Sequence, residues 1–196
     1  EEVLNELPPG RHLLLSGSYA EEAFMQKGTD LIKKEWGTLD VLINCAGLTE
    51  KTDLMEMDLQ SWRRISDIML NGCLLSTRLA VTLMRAGGRI VHISSIHGTR
   101  AERFAGSYSM AKAAINQFCR SMALELADRQ ILVNAIAPGF VNTPMSVSGG
   151  INELDTEWFK DNYVTGHHLP LRRAAQPEEI AGVAFVDVLV AGAVVA

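Results

Sequence analysis

Leu39-Asp40-Val41-Leu42-Ile43-Asn44-Cys45-Ala46-Gly47 is a compact apolar run closed by small residues. That is the pattern of a strand buried on both faces of a parallel sheet. Downstream, the apolar spacing changes to that of a helix from about Asp58 to Arg85. Asp58 stands where an N-cap belongs, and Gly87-Gly88 ends the segment. Arg89 to Ile93 is the next strand, Ser107 to Ala127 the next helix, and Ile131 to Ala137 a further strand closed by Pro138-Gly139. Upstream, Arg11 to Leu15 reads as a short strand followed by a helix from Ala20 to Trp36. After Pro138 come a polar, Gly-rich stretch, a short helix around Glu153 to Tyr163, and a helix opening at Pro177. Proline at a first helical position with Glu178 and Glu179 behind it suits both the fixed φ and the positive end of the helix dipole. Strand and helix alternate without internal repeats, which predicts an α/β fold: one doubly wound, mainly parallel sheet in a single domain over residues 1–196.

Composition narrows the function classes. The 196 residues are 47% apolar and 21% charged, enough to build one core without disulfide staples. Lys and Arg total 18 against 23 Asp and Glu, a net charge of −5 with no dense basic cluster. No nucleic-acid partner and no anionic-membrane partner is expected on that balance. The cysteines are three and scattered (Cys45, Cys73, Cys119), which argues against a disulfide framework and a zinc site and for a reducing compartment. Glu1 to Pro9 lacks the basic start and apolar run of a signal peptide. Ala181 to Ala196, interrupted by Asp187, falls short of the roughly 18 to 20 clean apolar residues of a membrane span. It is expected to form a buried helix or strand pair.

Parallel α/β sheets bind ligands outside the carboxyl ends of their strands. Three clusters follow strands here: Asn44-Cys45-Ala46-Gly47, Ser94-Ser95, and Pro138-Gly139-Phe140-Val141-Asn142-Thr143. All three should meet at one edge of the sheet. Tyr108 and Lys112 stand four apart on a predicted helix and so share a face. An ammonium beside a phenol stabilises the phenolate and makes the tyrosine a usable general acid or base. An ordinary exposed pair has the same spacing, so this motif alone is weak. Ser95, thirteen residues before Tyr108, could hydrogen-bond the substrate oxygen that Tyr108 protonates; a polar pair ending a strand would look the same. Small residues at 45–47 let a flat ligand approach the backbone, while Asn44 can pin neighbouring strands through its amide.

In combination these motifs resemble the short-chain dehydrogenase/reductase family. The matching order is Asn44-Cys45-Ala46-Gly47, Ser94-Ser95-Ile96-His97-Gly98, Tyr108-x-x-x-Lys112 and Ala137-Pro138-Gly139-Phe140-Val141-Asn142-Thr143. Arg172 followed by Gln176-Pro177-Glu178-Glu179-Ile180-Ala181 extends the likeness, which covers Leu39 to Gly182. It implies a Rossmann-like sheet and hydride transfer between NAD or NADP and a carbonyl or secondary alcohol, in the style of a 3-oxoacyl or small hydroxy-compound reductase. Tyr108 would be the general acid in reduction, Ser95 would orient the carbonyl, and Lys112 would lower the tyrosine pKa and hold the nicotinamide ribose. Asn44, Ala46 and Gly47 would line the cofactor, with Pro138, Gly139, Val141 and Thr143 around the nicotinamide. Ser95, His97 and Phe140 would face the substrate, and residues 146–170 would form a lid. The family also implies a homodimer or homotetramer built on the helices Asp58–Arg85 and Ser107–Ala127, and a cytoplasmic location with the mitochondrial matrix as the alternative.

Four departures qualify that picture. No Gly-rich turn precedes Leu39, so about two strand-helix units of the family pattern are missing from the N-terminal side. They would lie between Arg11–Leu15 and Leu39–Cys45, leaving unpaired strand edges. Ser16-Gly17-Ser18 stands where the family tends to place an adenine-contacting Asp, with Ser18 the best match. Met69 occupies the place of a helix asparagine that holds a relay water, and Asn71 is about 200° further round the helix. Phe185 to Gly192 looks like a shortened last strand. The rival reading is therefore a catalytically silent relative acting as a dimerising partner. A third, an epimerase or dehydratase relative, is disfavoured because the chain leaves little room for a sugar-binding domain. Arg100, Phe104, His167 and His168 are further candidates near the substrate; His167-His168 has no third ligand in view, so no metal is expected. The apolar side chains of Ile151, Leu154, Trp158, Phe159 and Tyr163 in the lid suit a medium-sized apolar substrate.

Overall fold

The structure, a computed structural model, describes residues 7–189. Three parallel strands, β1 (Val41–Asn44), β2 (Arg89–Ile93) and β3 (Leu132–Ile136), stand in the order β1-β2-β3. Val41 lies beside Arg89, and Arg89 beside Leu132. Before and between these strands come the helices α1 (Glu22–Trp36), α2 (Leu59–Ser66), α3 (Gly72–Leu83) and α4 (Gly106–Glu125). A π-helical turn, Asp67–Asn71, joins α2 to α3, so the single helix expected from Asp58 to Arg85 is interrupted in its middle. Asp58 does cap it, its carboxylate accepting from the amides of Gln60 and Ser61.

One face of the sheet carries α3 and α4. Ile90 and Val133 pack there with Ala80 of α3, Met84 just after it and Cys119 of α4, Ile131 and Leu126 closing the cluster. The last helix packs against β3 and β2 and is held by Asn134 Nδ2 donating to Asp187 Oδ1 at 2.8 Å. Between β3 and that helix lie a small hairpin, β4 (Val147–Ser148) with β5 (Ile151–Asn152), and one helical turn, α5 (Glu157–Phe159); the last helix is α6 (Pro177–Leu189). The hairpin turns at Gly149-Gly150, both at positive φ, the backbone a two-residue turn requires. Sequence periodicity missed it because its strands are two residues long. The expected Glu153–Tyr163 helix is broken into a 3-10 turn, α5 and a second π-helical turn, Lys160–Thr165.

Two strand expectations fail. Arg11 to Leu15 makes no ladder but lies along α1, Arg11 bonding Glu35 and Leu15 resting over Gly28. A strand exists only where a neighbour supplies amides and carbonyls, and among the described residues β1 pairs with β2 alone. Ile43, which alternates with Leu42 and so points to the opposite face of the sheet, is 48% exposed. Phe185 to Leu189, read as the start of a last strand, forms the final turns of α6, because nothing between Pro177 and Leu189 stops the helix; residues 190–192 lie outside the described residues.

Beneath the carboxyl end of the sheet sits a buried polar cluster. Asn44 Nδ2 donates to Thr77 Oγ1 and lies 3.1 Å from His92 Nδ1, while Asn44 Oδ1 accepts from Ser76 Oγ at 2.7 Å. His92 is fully buried, edge-on to Phe118, and burial pushes its imidazole from 6.5 down to about 4, the Lys112 charge adding to the effect. The unfolded chain therefore binds a proton between those values that the folded chain refuses, so stability rises with pH across that window. The unfolding free energy from urea melts should fall as pH is lowered from 6.5 to 4, by up to roughly 3 kcal/mol from this group. A His92→Gln variant should show a flatter profile; an identical slope would remove His92 as the cause.

Candidate active site

The chain from β2 into α4 assembles the centre of the site. Ser94 N–H continues the ladder to Ile136 O at 2.7 Å, and Ile96 N–H donates to Pro138 O at 3.0 Å, so the loops after β2 and β3 are tied together. Ser95 follows in extended conformation and caps a 3-10 turn, Ile96–Gly98, its Oγ accepting from His97 N–H at 3.2 Å. That turn lies hard against α4. A Cβ on Gly98 would stand 2.3 Å from Asn116 Nδ2 and 3.0 Å from Lys112 O, so only glycine permits the approach. Ser94 Oγ, donating to Asn116 Oδ1 at 2.5 Å, fastens the same contact.

The first turns of α4 then present Tyr108 and Lys112 side by side. The Tyr108 phenol stands near enough to the Ser95 hydroxyl for that hydroxyl to lower its proton affinity. Lys112 is 4% exposed, donates to Ile93 O at 2.7 Å, and places its Nζ 5.5 Å from the centre of the Tyr108 ring. Burial lowers the lysine from 10.5 to about 8, with Cys45 and Cys73 opposing. Burial raises the Tyr108 phenol, and the Ser95 hydroxyl pulls it back. In this arrangement desolvation thus outweighs the depression of the phenol expected from Lys112, whose charge sits over the ring and toward the strand.

The other residues singled out in the sequence fall into two groups. Ala46 and Gly47 lie open or half-buried at the carboxyl edge, with Gly47 close to Lys112 Nζ. Pro138, Gly139, Val141 and Thr143 form the facing loop, Val141 bridging to Ala175. Asn44 is different: its amide turns into the Ser76–Thr77–His92 cluster, so it serves the sheet rather than the edge. Phe140 joins an aromatic cluster with Phe159 and Tyr163, at 4.9 and 4.6 Å between ring centres, Trp158 and His168 reaching Tyr163 from outside. That cluster clamps the 146–170 segment to the loop after β3. His97 puts its ring edge against Tyr108 at 5.8 Å and its Nε2 on Glu102 at 3.1 Å.

Met69 lies in the π-helical turn, fully buried, and its sulfur accepts from Leu48 N–H at 3.4 Å beside Gly47. It therefore braces the loop after β1. Asn71 bonds Asp67 on the exposed side and takes no part. Three residues went unnoticed in the sequence: Glu102, Lys51 and Glu153. Lys51 contacts both carboxylates, at 3.9 and 2.5 Å. Lone charged residues in polar loops carry no periodic or spacing signal.

A nicotinamide nucleotide fits the donors present. Lys112 is a buried ammonium with three protons, of which Ile93 O takes one. Its remaining donors suit the hydroxyls of a ribose laid along Gly47. Among the described residues no group of three or more His, Cys, Asp or Glu is placed to hold a metal, and no helix is long and apolar enough to cross a membrane.

Comparison with known proteins follows the same line. The enoyl-(acyl carrier protein) reductase family matches residues 2–186. The chain is 37% identical over 150 residues to a 3-oxoacyl-(acyl-carrier-protein) reductase of Synechocystis sp., covering 76% of this chain and 56% of that protein. To the corresponding reductase of Aquifex aeolicus it is 34% identical over 185 residues, covering 93% of this chain and 71% of that one. A gluconate 5-dehydrogenase from Burkholderia cenocepacia, solved in complex with NADP and tartrate, superposes with a TM-score of 0.78 at 23% identity, covering 87% of this chain and 66% of the other. The chain spans little more than half the length of the Synechocystis relative. With the sheet, its loop order and these relatives in agreement, the chain belongs to the short-chain dehydrogenase/reductase family.

Proposed function

We propose that the protein is an NAD(P)-dependent oxidoreductase that interconverts a carbonyl and a secondary alcohol, in the manner of a 3-oxoacyl or small hydroxy-compound reductase. The observation that carries this reading is the buried Lys112 ammonium, held on Ile93 O with its Nζ 5.5 Å from the centre of the Tyr108 ring, and the Ser95 hydroxyl beside the phenol. A structural scaffold has no use for a lysine at that depth, where desolvation costs stability. When bound, the nucleotide supplies the hydride. In reduction, Tyr108 Oη gives its proton to the carbonyl oxygen while Ser95 Oγ hydrogen-bonds the same atom. A phenol held above its ordinary value by burial is fully protonated at neutral pH, as a proton donor must be.

Within this reading Lys112 holds the ribose, and Ala46, Gly47, Pro138, Gly139, Val141 and Thr143 line the nucleotide. Asn44 contributes through its backbone alone, its amide being engaged elsewhere. Ser95, His97 and Phe140 face the substrate under a lid of residues 146–170, whose aromatic side chains suit a medium-sized apolar group. The protein acts as a homodimer or homotetramer through α3 and α4, where Leu74, Met110 and Leu124 are exposed. Three free thiols are consistent with a cytoplasmic home. Whether NADH or NADPH is used is decided by titrating both against tryptophan fluorescence.

Three outcomes are expected. Tyr108→Phe should lower turnover of an acetoacetyl thioester by about 10²- to 10⁴-fold with nucleotide affinity unchanged; undiminished turnover would falsify the role of Tyr108. Lys112→Met should weaken nucleotide binding yet stabilise the fold at pH 7. Because the folded lysine titrates near 8 and the unfolded one near 10.5, stability gained by the wild type across that window should be absent from the variant in urea melts. Light scattering should return a dimer or tetramer, and a monomer at micromolar concentration would count against the helix interface.

A further inference from the structure

We infer that Glu102 is a positioning residue for the reaction, acting through His97 to hold Ser95 and Tyr108 in register. This rests on the oxidoreductase reading and extends it to a residue outside the usual motif positions. His97 touches both members of the pair: its backbone N–H donates to Ser95 Oγ at 3.2 Å, and its ring edge packs on the Tyr108 ring at 5.8 Å. The orientation of that ring is set by one polar contact, Nε2 to Glu102 Oε2 at 3.1 Å, while Nδ1 is buried without a partner. The proton of the neutral imidazole therefore belongs on Nε2.

Glu102 is itself anchored. Its other oxygen, Oε1, lies 3.9 Å from Lys51 Nζ, and Lys51 in turn bonds Glu153 at 2.5 Å, so the carboxylate is steadied from the loop after β1 and from the lid side. The His97 hydrogen bond and the Lys51 charge hold Glu102 below the ordinary carboxylate range against its burial, so it stays an acceptor at neutral pH. Without that acceptor the imidazole loses its one polar contact among the described residues, and the turn that Ser95 caps, which carries His97, is less firmly held. Displacements of an ångström in a reacting pair cost about 10²-fold in rate, so a loose His97 should be visible in turnover.

The test reads Tyr108 directly. In a Tyr19→Phe/Tyr163→Phe background Tyr108 is the remaining tyrosine of three, and its ionisation is followed by ultraviolet absorbance. Glu102→Ala should raise the Tyr108 midpoint by about half a unit or more, because the Ser95 hydroxyl that lowers it is no longer held beside the phenol. Glu102→Gln keeps an acceptor for His97 Nε2 and should stay near the background value. If the carboxylate mattered only as a charge, both variants would lower the midpoint equally; equal shifts, or none, would overturn the inference. In turnover of an acetoacetyl thioester, Glu102→Ala should lose about tenfold in kcat and Glu102→Gln should recover most of it. If no variant and no wild type turned over, the oxidoreductase reading would fall while the titration still decided the role of Glu102.

Discussion

An ammonium buried beneath the carboxyl edge of the sheet governs how this molecule is put together. Lys112 has almost no access to water, so its protons must find acceptors inside, and the Ile93 carbonyl at the end of β2 takes one. That bond fixes the roll of α4 over the strand. The same roll brings Tyr108 to Ser95, lays the Gly98 turn on Asn116 and leaves Gly47 beside the lysine. Holding a charge there opposes folding, since burial lowers the lysine to about 8. A structure that tolerates such a cost is organised around what the charge can bind.

The second constraint is the polar cluster on the α3 side of the sheet. Asn44, Ser76, Thr77 and His92 Nδ1 bond one another across β1, β2 and α3, with His92 Nε2 buried without a partner among the described residues, and such networks specify one register because a slip leaves further buried groups unpaired. Asn44 thereby holds the strand whose end carries Cys45, Ala46 and Gly47. The π-helical turn before α3 belongs to the same design. It carries Met69 under the loop, where the thioether takes up the Leu48 amide. Extra residues in a helical turn cost regularity and commonly mark functional positions; here the turn supports the edge that faces the ligand.

The lid side is assembled differently. Phe140 packs against Phe159 and Tyr163 from a segment more than a dozen residues away, and Lys51 spans from the loop after β1 to Glu153. Apolar ring contacts supply the area, and the ion pair supplies direction. Glu102 sits between this assembly and the Ser95–Tyr108 pair, with one oxygen toward Lys51 and the other on His97. Residues 146–170 and the Ser95 turn are therefore joined through three side chains, Lys51, Glu102 and His97.

Much of this was legible from residues alone. The apolar run at 39–47, the Asp58 cap, the strand at 89–93 and the helix start at Pro177 rest on local chemistry, and each stands where local chemistry puts it. So does the pairing of Tyr108 with Lys112, since spacing on a helix is a property of the chain. Arg11 to Leu15 was misread because strand formation depends on a partner that no local pattern reports, and Phe185 to Leu189 because the helix from Pro177 runs on through it. Which way Asn44 turns, where the Lys112 charge points, and that Glu102 reaches His97 depend on groups brought together from distant parts of the chain. Sequence by itself determined the order of the elements and the identity of the reactive side chains, because both follow from local periodicity and residue type. Their directions and burial, and hence their proton affinities, were decided only by tertiary packing, which sets the dielectric and the partners each group meets.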